Sequence, residues 1–537
     1  MFFESFLKLP VELVCQILSF LEYQDLLRCS EVCKALRKIV DSSRLKYTIE
    51  LAMHRMVSLD YIGTGPSFDT RRRLLQEREC SWKYFKWRNR HTLSLPTNGS
   101  IYEFVGGFYG NAMAASTRIS FVELPNNTPD PGPASRRTWI HEIPDISFVD
   151  FTMDPSQDLL VLLANSPTCS EYVYDIHLRT MSTGQPHMKA ERSILRSFKR
   201  SDLIGAINVG SWFSVRIQVA GDFVALLVKE SVDTVGGFLE IWNYTRSPEL
   251  SFNIPLKIGI DDFSFVSSDT FIIVTPLGFI ELWHFGDPSI AECVPFPKAK
   301  YALPTLASGF IYWYMAMSAN PTTGYVPPSD ILSSTKPLCY PCPDERIHAF
   351  CIYLLNSDQM DGLAHPFVFF VNIHTFLHPS QLVLDFIASA KPEDPIPWEI
   401  WGPYNTRWFS ENISTDWQHA LHGYRTIEVV DPEPSNPIAP LISQPKLRIR
   451  DFNPYALASM KVDGDDCESR RGHIVREPST IPAREVFAQD VVSHLPYREI
   501  VSEETFDVTD VMMDDSRILL LKRDDEGYLN SIEVLTL

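Results

Sequence analysis

Two spacings of apolar residues divide the chain. From Leu9 to Val40 they recur every three or four positions; from about Ile101 they come in short β-branched or aromatic runs cut by Gly, Pro, Asn and Asp. In the first stretch Leu13, Ile17 and Leu21 fall at i, i+4 and i+8, and Val14 and Leu18 widen the stripe, which predicts a short amphipathic helix. Pro10 suits its first turn, where a missing N–H costs nothing, and Glu12 favours the positive end of the helix dipole. Asp25 stands where an N-cap belongs, ahead of Leu26 and Leu27, and a second helix is expected to carry Val32, Cys33, Leu36, Ile39 and Val40. An ordinary helical hairpin packed on its own domain has the same spacing. So little chain buries only a small core, which is the mark of a docking module completed by a partner.

Further on, Arg71–Trp87 reads as one more helix with Leu74/Leu75, Trp82 and Phe85 on one face, so Leu51–His91 is expected to form a helical connector. The β texture then brings a weak repeat. Ser147–Ala164 is echoed by Ser214–Val228, Asp261–Thr275 and Asp507–Lys522, each pairing two strands through a tight Asp-bearing turn. A third strand follows at Tyr172, Leu239, Ile280 and Ser531, and Trp242 and Trp283 stand 41 residues apart, close to the period of a propeller blade. Pro-rich insertions at Pro125–Pro133, Asn320–Pro343 and Asp431–Pro445 account for part of the irregular spacing elsewhere.

The order Leu9-Pro10, Glu12, Ile17-Leu18, Leu21, Asp25-Leu26, Cys29, Val32-Cys33, Leu36-Arg37 resembles an F-box, with Leu36 where many F-boxes carry Trp. The resemblance implies docking onto a Skp-type adaptor and, through it, a cullin, by way of Leu9, Pro10, Leu13, Ile17, Leu18, Leu21, Leu26, Leu27, Val32, Cys33 and Leu36. The β region resembles a degenerate WD-repeat propeller, and the whole chain resembles fungal F-box proteins with a divergent β-propeller-like C-terminal domain. The expected organisation is a small all-α F-box over residues 1–52, a helical connector over 53–95, and a β-propeller-like substrate-binding domain of six to eight blades over 96–537. The implied function is the substrate-recognition subunit of an SCF ubiquitin ligase, not an enzyme. One rival is a Skp-binding scaffold or trafficking factor; another is an enzyme whose N-terminal hairpin only mimics an F-box.

Composition narrows this picture. With 45% hydrophobic and 21% charged residues the chain is globular, and its net charge of −19 argues against broad nucleic-acid or anionic-membrane binding. Ten cysteines are too sparse for a disulfide scaffold and fit a reducing compartment, hence cytoplasm or nucleus. The start MFFESFLKLP lacks a basic n-region and a small-residue cleavage site, so no signal peptide is expected, and polar and Pro residues break up Tyr301–Ser329, so no membrane span is expected either.

Candidate chemistry is thin. Cys339, Cys342, His348 and Cys351 are four soft ligands whose spacing approaches a zinc knuckle, but RIHAFCIYLL reads as a strand on which His348 and Cys351 point to opposite faces. No metal and no cofactor is expected. The basic, aromatic stretch Arg71–His91 has the residues of a nucleic-acid or lipid grip, yet a connector helix with basic stems outside explains it better. Gly106–Gly110 reads as a turn rather than a phosphate loop, and the recurring Asp158, Asp222 and Asp269 read as turn chemistry. Trp398, Trp401, Trp408, Trp417 and Tyr404 would serve either a substrate pocket or blade core.

Overall fold

The computed structural model describes residues 6, 8–59, 65–93, 99–126, 137–200, 213–230, 237–246, 252–256, 259–286, 295–327, 337–357, 364–391, 393–410, 415–430, 444–458, 472–483, 486–523 and 529–537. Most of the Pro-rich insertions Pro125–Pro133 and Asp431–Pro445 lies outside these residues, as do residues 328–336 of Asn320–Pro343.

The N-terminal unit contains α1 (Val11–Leu18), α2 (Tyr23–Val32), α3 (Lys34–Val40) and α4 (Ser43–Met53). Pro10 precedes the first helical residue, and Glu12 occupies the first turn. Asp25 lies in the first turn of α2 rather than at its N-cap, which is Glu22. The expected second helix is two helices. Cys33 adopts an extended backbone between them, and its Sγ accepts from the Leu36 amide, so a residue expected inside a helix caps the next one. Val14, Leu18, Leu26, Leu36, Val40 and Leu45 make the core of this unit.

The connector helix α5 (Phe68–Tyr84) starts at Ser67, whose hydroxyl accepts from the Thr70 amide, and ends at Phe85 in the left-handed region (φ 49°). Leu75, Trp82 and Phe85 are buried, while Leu74 is exposed. Helix does not continue to His91. Asn89–Leu93 is a strand, because it completes a sheet with the C-terminal strand Leu529–Thr536.

Seven sheets of four or five strands follow among the described residues. In sequence order, blade 1 spans 101–142, blade 2 148–199, blade 3 213–256, blade 4 262–302, blade 5 310–410 and blade 6 421–501. Blade 7 combines Asn89–Leu93 with the three strands of 510–536. Each blade packs on the next through an apolar layer. Phe108 and Phe121 meet Phe151 and Leu162 between blades 1 and 2. Leu178 meets Val224 and Trp242 between blades 2 and 3, and Ile241 meets Phe263 and Phe271 between 3 and 4. Ile280 and Tyr301 meet Phe350 and Trp408 between 4 and 5. One continuous layer joins blades 5, 6 and 7, and Leu519 and Val534 of blade 7 meet Phe104 and Tyr109 of blade 1. The sheets therefore close into a seven-bladed propeller, and this radial packing covers the faces of every blade and leaves only short edges.

The four strand pairs legible as repeats are the first two strands of blades 2, 3, 4 and 7. Trp242 and Trp283 are equivalent, opposite Val224 and Phe271, the second residues of their neighbouring strands. Blade 5 hid its repeat because it carries a long first hairpin and three short helices, His374–Leu377, Gln381–Ser389 and Trp398–Asn405. Trp398, Trp401, Trp408 and Trp417 are buried core, whereas Tyr404 is exposed. Gly106 and Gly107 form the first hairpin of blade 1 with positive φ (59° and 81°), a conformation other residues adopt at a cost.

The closing strand generates a prediction. A chain beginning at Gly99 should unfold at clearly lower temperature than one beginning at Lys86, although both retain every inner strand. Equal melting temperatures would mean that Asn89–Leu93 does not close the ring.

Candidate protein-docking site

The helices of the N-terminal unit turn one set of apolar side chains inward and leave another in solvent. Leu18, Leu26 and Leu36 are buried in the unit's own core. Leu9, Leu13, Ile17, Leu21, Leu27 and Val32 are exposed, with Val32 at 61%, and Pro10 is exposed while Cys33 is half-buried. Val11 and Phe20, not singled out from the sequence, join the exposed set, Phe20 at 82%. Isolated exposed leucines are ordinary, but this many on two short neighbouring helices form a surface that favours a partner. The helix period does not mark these two, since Val11 lies off the Leu13–Ile17 stripe and Phe20 lies in the turn beyond the helix.

The unit is held to the ring by short-range and buried contacts. Met56–Ser58 pairs with Cys339–Pro341 in the first hairpin of blade 5. Tyr23 of α2 meets Tyr455 edge to face at 5.1 Å between centroids, and Asn453 Nδ2 donates to the Met53 carbonyl at 3.0 Å. Trp82 Nε1 donates to the Asp515 carbonyl in the first hairpin of blade 7 at 3.1 Å. The helices therefore sit on the face formed by the first hairpins of the blades.

At the centre of this junction is Glu79, 8% exposed. Its carboxylate meets the Arg425 guanidinium, Arg78 at 3.0 Å and His54 Nδ1 at 3.3 Å, and Arg425 Nε also donates to Asp451 at 3.1 Å. Burial opposes ionisation of Glu79, but Arg425, His54 and Arg78 outweigh it and hold the carboxyl well below its usual range. Burial likewise opposes the charge on His54; hydrogen bonds with Glu50 and Glu79 prevail and raise it to about 9.

The ring encloses a cavity of about 410 Å³ at its axis. Glu103, Asp150, Asp261, Asp262, Arg216, Lys229 and His419 line it. Burial raises Glu103 to about 8, Asp261 to about 7 and Asp150 to about 6, with the like charge of Asp150 adding to Glu103 and that of Asp262 to Asp261. His419 lies 3.5 Å from Glu103, but burial lowers it to about 4, so this contact is not an ion pair at neutral pH.

The remaining candidates fall outside both sites. Cys339 lies on the strand paired with Ser58, whereas His348 is buried 3.3 Å from Ser264. Among the described residues no three His, Cys, Asp or Glu side chains come together as metal ligands. The basic residues of α5 engage acidic partners, as in Arg73–Glu77 and Arg78–Asp515. Asp158 accepts from the Ser182 amide and hydroxyl, and Asp269 from Ser267 and Thr270, which is turn chemistry. No described helix is long and apolar enough to cross a membrane.

Residues 6–51 match the F-box-like family, so the helical unit is an F-box-like domain. No curated protein matches the chain. Among solved structures, the chain is similar to the β-propeller domain of Cps50 (Swd1) from Myceliophteria thermophila at 9% identity, over 84% of this chain and all of that one, with a TM-score of 0.36. It is also similar to Hsv2 from Kluyveromyces lactis at 12% identity, over 38% of this chain and 63% of that one, with a TM-score of 0.27.

Two outcomes test the junction and the buried charges. Glu79→Ala should destabilise the protein by about 3–5 kcal/mol in denaturant titration, because Arg78 and Arg425 stay buried without their shared partner. Stability should also fall as pH rises from about 6.5 to about 9. In that window folded His54, Glu103 and Asp261 hold protons that the unfolded chain has released, so all three act in one direction. A melting temperature at pH 9 equal to that at pH 6.5 would contradict these shifts.

Proposed function

We propose that this chain is a substrate-receptor subunit of an SCF-type ubiquitin ligase. Leu9, Leu13, Ile17, Leu21, Leu27 and Val32, with Val11 and Phe20, would dock onto a Skp-type adaptor and through it onto a cullin. Leu18, Leu26 and Leu36 would act indirectly, by holding the helices in place. The observation that carries the reading is the exposed apolar set on an F-box-like domain fixed to one face of a closed propeller. A protein substrate would be held at the opposite face and the axial cavity. In this scheme the chain performs no bond chemistry; it raises the effective concentration of the substrate near the ubiquitin-charged conjugating enzyme, in the cytoplasm or nucleus. The rigid junction at Glu79 favours this over a loosely tethered scaffold, since it sets both distance and direction between two partners.

Substituting Leu13, Ile17 and Val32 together by Ala should abolish capture of a Skp-type adaptor, as each lost contact at the centre of a small interface costs about 2 kcal/mol. Melting should change little, because these side chains are exposed in the free protein. Undiminished capture would refute the docking face. In cells, a form lacking Met1–Ala52 should retain its target and lengthen the target's half-life. If the intact form binds the adaptor yet no target is stabilised by the deletion, a scaffold outside ubiquitination becomes the better reading.

A further inference from the structure

The axial cavity is closed at one end and is lined by more carboxyls than bases. The segment after the inner strand of blade 5 crosses the ring on the side of the helical unit. Asn320 Nδ2 donates to the Gln418 carbonyl at 2.7 Å, and the Gly423 amide donates to the Asn320 carbonyl at 2.7 Å. Gly324, at φ 77°, packs so closely on blade 3 that a Cβ there would lie 3.2 Å from the Gly221 nitrogen. Among the described residues this leaves the opposite face, where the inner strands begin, as the way in. Asp261 and Asp262 stand at the start of the blade 4 inner strand, and Glu103 and Asp150 lie within the first three residues of theirs.

Two bases face these acids, and both are engaged. Arg216 donates to Asp262 Oδ2 at 2.5 Å and to the Met317 carbonyl at 2.8 Å. Lys229 donates to the backbone carbonyl of Asp261 and lies over the Tyr314 ring, 4.4 Å from its centroid. Among the described residues neither Glu103 nor Asp150 has an ion pair with lysine or arginine. Asp261, 7% exposed, is one of the lining residues, and its buried Oδ2 has no hydrogen-bond partner. A buried acceptor left open is costly, and a donor supplied by a ligand removes the cost.

We propose that the axial cavity is a receptor pocket for a basic side chain, arginine or lysine, presented by a protein segment at the face away from the F-box-like domain. The guanidinium or ammonium group would donate to the carboxyls of Asp261 and Glu103, and the wall aromatics Tyr102 and Tyr314 would flank its aliphatic stem. The acids do not gather tightly enough to ligate a metal ion among the described residues. A phosphorylated segment would meet repulsion here. The volume of about 410 Å³ lies in the range of ligand pockets, roughly 300–1,000 Å³. This deepens the proposed function and rests on its reading of the propeller as the substrate-holding part; adaptor capture tests that reading separately, because it reports only on the helices.

The experiment measures binding of fluorescein-labelled nonapeptides of Gly and Ala to the full chain by anisotropy, with a central arginine, its neutral isostere citrulline, or phosphoserine. The arginine peptide should bind at least tenfold tighter than the citrulline peptide, and the phosphoserine peptide should not bind. Glu103→Gln combined with Asp261→Asn should weaken the arginine peptide at least tenfold, whereas exposed Glu142→Gln should leave it unchanged. Equal binding of arginine and citrulline peptides overturns the proposal without any variant. So does a preference for phosphoserine, or arginine binding that survives in the folded double variant, which would be attraction to the acidic surface at large.

Discussion

Everything in this molecule depends on one strand pairing across the length of the chain. Asn89–Leu93 runs antiparallel to Leu529–Thr536, with His91 opposite Val534, and Arg90 Nη2 donating to Glu533 at 2.7 Å outside the pair. The last blade of the ring is complete only when its fourth strand is in place, and here the chain's early segment supplies that strand. The same segment follows directly on α5. Closing the ring therefore also fixes where the connector helix leaves it, and with it the F-box-like domain.

The junction converts that placement into rigidity. Glu79 reaches Arg425 across 346 residues of sequence, and Trp82 reaches Asp515 across 433. Buried ion pairs are poor sources of net stability, but breaking one by removing a partner is strongly destabilising. Glu79 has three cationic neighbours, and a different seating of the helices would part it from Arg425, the one that the ring supplies. The consequence is a body with two working ends. Exposed apolar side chains lie at one end, and an acid-lined cavity opens at the other.

The two ends obey opposite physics. The docking face is apolar, so its association draws on area removed from water and is weakly sensitive to salt. The cavity is charged and secluded, so a cation entering it gains from the low local dielectric while carboxyls whose protons are held by burial must release them. Binding at the two proposed sites would therefore depend on different solution conditions.

Adjacent residues determined much of this. The three- and four-residue spacing of Leu13, Ile17 and Leu21 marks a helix wherever it occurs, and the residue order around it marks an F-box-like unit; the alternation in blades 2, 3, 4 and 7 marks strands for the same local reason. What the spacing left open is which leucines face inward. Leu18, Leu26 and Leu36 became core and Leu9, Leu13 and Val32 surface only when four helices packed together. Only tertiary structure turned part of a presumed connector into the closing strand, because a strand's partner lies beyond any local window. Only the ring gathered Glu103, Asp150 and Asp261 from three blades around one axis. Each looks in sequence like one acid among many, and their shared burial, which gives them their chemistry, exists only after closure.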